Sequence, residues 1–384
     1  MIWYVIVLFL YTICMGFAYL DLRKYLYTIL LLGVLPMLLL VLLRGSVGTD
    51  TAAYIRIVSD VKANQTGIGI EEGFIYLIKA LLHVTNDPMF VLILIALVTT
   101  VVMFIASKND NRALFVLLVC IMPLFYLDMT MNGLRYGLSF AFAMLAISKF
   151  YQHHLFISIS LGMIAVLFHV SGLLVFLIMA LLADNKIEFI SWLKLMTILL
   201  LVVLAQYYLV DIINYFLKVK TPYFFTTKGA EVNLPLELDA KGKYIAYKSF
   251  TSPSWYSGLA PLIISWLLIY VLHAGKKQAT FLTNYQFYIL ISLTSVTFLL
   301  AKFSYAGLRL QLVVLFTILL MMQFKPKLAG IMDVTIKKRM FVIGCIGVMV
   351  FVKNLILTKG LGPSPFAPWL INPNIVQFLN VING

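Results

Sequence analysis

Charge is scarce in this chain. Asp, Glu, Lys and Arg make up 11% of its 384 residues, 62% are hydrophobic, and mean hydropathy is +1.01. A soluble fold of this length needs far more charge on its surface, so a soluble domain is excluded. Acid is scarcer still: 15 Asp and Glu face 29 Lys and Arg, a net charge of +14. No basic cluster is long or aromatic-interleaved enough to argue for nucleic acid. The excess fits positive-inside topology and anionic headgroups. Cysteine is nearly missing. Cys14, Cys120 and Cys345 each lie in an apolar run, which implies small core residues and no disulfide framework.

Chemical motifs are missing too. The chain has no His/Cys cluster at zinc spacing, no His-Glu-x-x-His, no Gly-x-x-x-x-Gly-Lys, no Gly-x-Ser-x-Gly and no Asp-x-Asp. Gly67-Ile68-Gly69 lacks a third glycine at the right offset. No metal and no cofactor is expected, and no soluble domain is there to hold a nucleotide sugar.

What is present is apolar length. The runs are continuous rather than alternating, which excludes a membrane β-barrel. Aromatics reach 14%, with 21 Tyr and 28 Phe, as suits helices ending at lipid interfaces. The expected fold is all-α, a single polytopic membrane domain over 1–384. A window of about 20 residues per span gives 2–20, 25–43, 88–106, 112–130, 134–150, 189–210, 255–273, 285–301, 303–324 and 340–356. The first is expected to be a retained helix rather than a cleaved signal.

Segment 155–182 is 28 apolar residues, too long for one span without strong tilt, and carries Phe168-His169-Val170-Ser171-Gly172 at its centre. The cationic loops decide how it crosses. Arg23-Lys24, Lys108 with Arg112, Lys149 with His153-His154, Lys276-Lys277, and Lys325, Lys327 and Lys337-Lys338-Arg339 belong together on the cytoplasmic side. They do so only if 155–182 crosses twice, as two short helices meeting at His169. About 12 helices result, with both termini outside. Two long periplasmic loops follow, 44–87 and 211–254, and a Pro-rich periplasmic tail, 357–384. Within the first loop, Glu71 to Leu82 reads as an amphipathic interfacial helix.

Several polar groups fall on the outer side. Arg135 stands at the mouth of an apolar helix, in Gly133-Leu134-Arg135-Tyr136-Gly137-Leu138-Ser139. A guanidinium near hydrocarbon costs roughly 2.5–3.5 kcal/mol on insertion scales, so it faces water, a partner or an anion. Snorkelling to headgroups is the alternative. Gly137 with Ala141, and Ser139 with Ala143, let neighbouring helices approach. Arg309 begins another outer-starting span, near Lys302 and Tyr305, so two guanidiniums can converge on one pyrophosphate and stabilise it as a leaving group. Arg44 and Arg56 enlarge this field or face headgroups. His169 is a phosphate or hydroxyl partner, a base, or a satisfied core group. Asp50, in Gly48-Thr49-Asp50-Thr51, is a tentative base or a helix N-cap or Asx-turn. Glu72, Asp128 and Asp211 are weaker candidates.

In order along the chain, Gly48-Thr49-Asp50-Thr51-x-x-Tyr54, Glu72-Gly73-Phe74, Arg135-Tyr136-Gly137-Leu138-Ser139, Phe168-His169-x-Ser171 and the late Arg309 resemble the EpsG-type branch of the Wzy family of O-antigen and exopolysaccharide polymerases. The family commonly has Arg-Gln-Gly-Leu-Ala where this chain has Tyr136 and Ser139, so no role carries over to Tyr136. The resemblance implies a metal-independent glycosyltransferase of the bacterial inner membrane, working on its periplasmic face. It would transfer a glycan growing on undecaprenyl pyrophosphate to the non-reducing end of a lipid-linked repeat unit. A flippase and a chain-length regulator are the implied partners. Under this reading Arg135, Arg309, Arg44 and Lys302 bind pyrophosphate; Asp50, His169 and Arg135 act in catalysis; Tyr54, Glu72, Tyr136, Ser171 and Tyr305 contact substrate. An O-antigen ligase also takes lipid-linked donors with outer-face basic residues. A transporter without chemistry is the remaining reading, though the related halves common in transporters are not visible.

Overall fold

The computed structural model describes residues 2–43, 50–64, 70–184, 186–204, 258–273, 282–301, 305–325 and 334–357, and every described element is helical. The helices are α1 (Ile2–Asp21), α2 (Leu26–Leu42), α3 (Thr51–Lys62), α4 (Glu72–Leu82), α5 (Pro88–Ser107), α6 (Asn111–Tyr126), α7 (Leu134–Tyr151), α8 (Leu155–Phe168), α9 (Ser171–Leu181), α10 (Lys186–Leu204), α11 (Leu259–His273), α12 (Asn284–Leu300), α13 (Tyr305–Phe324) and α14 (Val334–Leu357). Two of them, α5 and the Gly307–Phe324 part of α13, are long and apolar enough to cross a membrane, and shorter apolar helices accompany them. Large apolar side chains such as Phe9, Leu31, Phe156 and Leu299 stand exposed on the outside of the bundle. Such a surface fits a membrane protein, whose outer helices face lipid.

Segment 155–182 breaks at His169, which is extended between α8 and α9. The two form an antiparallel hairpin. A Cβ built on Gly172 would lie 3.3 Å from the Ala165 backbone, and one on Gly162 would lie 3.4 Å from the Phe176 ring. The 112–130 run is helical, but its second half widens: Leu117–Tyr126 is a π-helix around Pro123, and Asp128–Asn132 forms another π turn. Proline offers no amide to a helical ladder, and wide turns absorb such a break. The first loop holds one helix more than expected, α3, packed beside α4. Of the other loop readings, 211–254 and the tail beyond 357 lie outside the described residues.

Polar contacts sort to two ends of the bundle. At one end Gln323 donates to Ser107 Oγ (2.8 Å) and to the Ala113 carbonyl (2.9 Å), and Arg112 Nη1 donates to the Lys325 carbonyl (2.6 Å). Lys325 Nζ pairs with Asp184 Oδ1 (2.9 Å), and Gln286 Nε2 donates to the Leu182 carbonyl (2.8 Å). These contacts gather the ends of α5, α9 and α13 and the starts of α6 and α12. The starts of α7, α9 and α13 therefore lie at the opposite end. Between the two ends, Phe140 of α7 stacks on Phe316 of α13, and Phe125 meets Phe316 edge-on.

Candidate functional site

The second polar end is built from α3, α4, α7, the α8–α9 turn and the start of α13. The π turn Asp128–Asn132 closes when the Gly133 amide donates to the Asp128 carbonyl (2.8 Å), and α7 starts directly after it. Its first turn lies on the preceding backbone: a Cβ on Gly137 would sit 2.2 Å from the Met129 carbonyl oxygen. Only glycine permits that approach, and it fixes where Arg135 and Tyr136 point. The Tyr136 hydroxyl donates to Asp128 Oδ2, and Asn132 Nδ2 donates to Asp128 Oδ1 (3.1 Å).

Arg135 Nη1 donates to Glu71 Oε2 at 2.6 Å. Its Nε is buried with no hydrogen-bond partner among the described residues. The Arg135 amide donates to the Tyr54 hydroxyl at 3.4 Å. Tyr54 is buried on α3, its ring 6.1 Å from that of Phe74 on α4. Burial raises the Tyr54 phenol above its ordinary value, against the opposing pull of Arg135, so it stays protonated.

Glu71 also faces His169, with Oε1 3.8 Å from Nε2. The imidazole is oriented from its other nitrogen: Nδ1 accepts from the Ser171 amide (3.1 Å) and lies 2.8 Å from the Ser171 hydroxyl. An amide can only donate, so the proton of the neutral ring sits on Nε2, toward Glu71. Ser139 Oγ donates to the His169 carbonyl (3.1 Å), tying the turn to α7. Burial pulls His169 down to about 4; Glu71 opposes this, and Arg135 and Arg309 add to it. The ring is neutral at pH 7.

Arg309 is exposed at the start of α13, within electrostatic range of both His169 and Asp128. Asp50 is in range of Asp128 and Tyr54. It occupies the N-cap position of α3, but its side chain does not cap that helix. The structure thus brings together Asp50, Tyr54, Arg135, Tyr136, His169, Ser171 and Arg309. Among the expected residues, Arg44 and Lys302 lie outside the described residues, as does the Tyr305 side chain. Arg56 pairs with Asp60 (3.8 Å) at an exposed position on α3.

Sequence reasoning singled out Glu72, but the carboxylate against Arg135 is its neighbour Glu71. What decides between the two is the packing at Gly73. A Cβ there would lie 2.7 Å from Leu167 Cβ and 2.8 Å from its carbonyl oxygen. The start of α4 therefore lies directly on the end of α8, and the residue just before the helix turns inward. Asp128, ranked low from the sequence, is held by Tyr136 and Asn132 inside the same cluster.

The pattern of the EpsG family matches residues 24–361. The chain belongs to the EpsG family. Membership brings a glycosyltransferase-like activity of the exopolysaccharide-polymerase type. No curated protein and no solved structure matches the chain.

Proposed function

We propose that this EpsG-family chain is a polysaccharide polymerase of the bacterial inner membrane, with about twelve spans and its site open to the periplasm. The donor is a glycan on undecaprenyl pyrophosphate; the acceptor is the non-reducing sugar of a lipid-linked repeat unit. The observation that carries this reading is that Arg135, at the start of α7, and Arg309, at the start of α13, stand at the same polar end of the bundle on separate helices. Arg135 also keeps a buried Nε without a hydrogen-bond partner among the described residues. Two guanidiniums from two helices suit a pyrophosphate, and they meet the charge that grows on it as it leaves.

In the reaction an acceptor hydroxyl attacks the anomeric carbon of the donor sugar. The bond from that carbon to the pyrophosphate oxygen breaks, and the lipid pyrophosphate departs with the bonding pair. Arg135 and Arg309 hold the departing group, with no metal required. The hydroxyl proton passes to a base, for which Asp50 is our choice, while neutral His169 orients phosphate or acceptor. Arg44 and Lys302 extend the cationic field; Tyr54, Glu72, Tyr136, Ser171 and Tyr305 frame the sugars. A flippase delivers the repeat unit, and a chain-length regulator sets product size. The test is the glycan pattern of cells carrying Arg135→Ala or Arg309→Ala at normal expression. Single repeat units in place of ladders support the reading, and normal ladders in both overturn it. A ligase would instead leave no repeat on the lipid A core when lost.

A further inference from the structure

We propose that Glu71 is an internal counter-anion for Arg135, holding the guanidinium until the donor pyrophosphate displaces it. The inference rests on the polymerase reading above and adds a residue to it. Three observations carry it. The first is that the pair is incomplete. Glu71 reaches Arg135 through Nη1 alone (2.6 Å), and the buried Nε has no hydrogen-bond partner among the described residues. A structural Arg–carboxylate pair normally uses the fork, with two parallel hydrogen bonds. Here a donor is left over, although an unpaired buried donor is unfavourable. A pyrophosphate, with more charge and more oxygens, satisfies the fork where Glu71 does not.

The second observation is placement. Glu71 is the N-cap residue of α4 (φ −58°, ψ 131°): its carbonyl accepts from the Phe74 and Ile75 amides, but its side chain does not cap the helix, so it can turn without breaking a bond of α4. The third is a second partner. His169 Nε2, which carries the ring proton, lies 3.8 Å from Glu71 Oε1. A carboxylate expelled from Arg135 moves a short way onto that N–H and stays hydrogen-bonded. Donor arrival and orientation of His169 are thereby linked through one side chain: the pyrophosphate takes Arg135, and Glu71 takes His169. Glu71 is a positioning residue, and before the donor binds it competes with it.

The experiment titrates the purified full-length protein with farnesyl pyrophosphate in wild-type, Glu71→Gln, Glu71→Ala and Arg135→Ala forms, with thermal melts to show that each is folded. Wild type binds and Arg135→Ala loses binding. Either Glu71 variant removes the competitor and binds about tenfold tighter, equivalent to about 1.4 kcal/mol, while polymerisation in cells falls because His169 Nε2 loses the carboxylate that would accept its proton's hydrogen bond. Two isolated substitutions keep the test open if one of them fails to fold. Binding that both folded Glu71 variants leave unchanged or weaken, with wild type binding, overturns this inference alone. No binding by any folded form overturns the polymerase reading and this inference with it.

Discussion

Phe140 and Phe316 stack with ring centroids 4.4 Å apart and planes 12° from parallel. The contact locks α7 and α13 side by side at a fixed height. Arg135 lies just over one turn before Phe140, and Arg309 about two turns before Phe316. Both helices end in the cluster that holds Ser107, Gln323 and Lys325. They run the same way, so both guanidiniums stand on one side of the aromatic layer. A stacked pair of this kind adds about 0.5–1.5 kcal/mol beyond the burial of its rings. Its larger role is geometric, because it sets how far apart two like charges are held.

Arg135→Lys and Arg309→Lys separate charge from shape. Lysine keeps the positive charge but loses the planar fork. Loss of one transition-state donor typically lowers turnover about 100- to 1000-fold. We expect Arg135→Lys, which loses the buried Nε, to abolish ladders. We expect the exposed Arg309→Lys to shorten them. Gel profiles of surface glycan, normalised to membrane-fraction protein, check both; equal ladders in wild type and Arg135→Lys refute the role given to the fork.

Gly73→Ala tests how α4 is seated. The new Cβ meets Leu167 Cβ at 2.7 Å and its carbonyl oxygen at 2.8 Å, and the carbonyl cannot rotate away. Overpacking of this kind typically costs about 1–3 kcal/mol. The start of α4 must lift, and Glu71 lifts with it from Arg135 and His169. A lowered melting temperature and weakened polymerisation are expected together. Lys79→Ala, on the exposed side of the same helix, should change neither.

These two cases show where sequence is legible. The break at His169 was readable because 28 apolar residues exceed one span, and loop charges needed an extra crossing. The family motifs already marked Arg135, Tyr54 and Ser171. Glu71 was not readable, because choosing it over Glu72 depends on the close packing of Gly73 against Leu167, a contact between residues far apart in sequence. Helix α3 escaped because it is short, its apolar residues alternate with polar and charged ones, and it gains its burial by packing against α4 and α5. Positive-inside counting places Lys325 and Arg112 on the cytoplasmic side but does not give their partners. In the structure both are buried: Lys325 is held by Asp184 and a helix-end carbonyl, and Arg112 reaches the Lys325 carbonyl through Nη1 while its Nε has no hydrogen-bond partner among the described residues.

Lys325 therefore carries a prediction of its own. It is 2% exposed, pairs with Asp184, donates to the Leu182 carbonyl at the end of α9, and accepts from Arg112 through its own carbonyl. Removing one partner of a buried pair typically costs about 3–5 kcal/mol, because the other charge is left uncompensated. Lys325→Met should lower the melting temperature of the purified protein sharply. Lys325→Met combined with Asp184→Asn should recover part of the loss. Ladder length per folded molecule should hold in both, since the cluster lies at the opposite end from Arg135. A double variant no more stable than the single one would contradict the buried-pair account.

His169 gives a dependence on pH whose sign follows from its environment. Burial lowers its folded value to about 4 from the ordinary 6.5. Between those values the unfolded chain binds a proton that the folded one does not, so stability rises with pH across that window. The contribution is fully present above about pH 6.5 and lost as pH falls toward 4, on the order of 3 kcal/mol for a shift of this size. A melting curve of the wild type alone sums every group that binds protons over this range, so it does not isolate the histidine. The comparison that does is wild type against His169→Gln, measured from pH 4 to 8. Glutamine cannot be protonated, so the variant should lose less melting temperature than wild type as the pH drops from 6.5 to 4, and the two slopes should run parallel above 6.5. A wild-type slope no steeper than the variant's would mean that His169 takes its proton without penalty. The neutral, Nε2-protonated ring on which the hand-off from Glu71 depends would then not be the resting form.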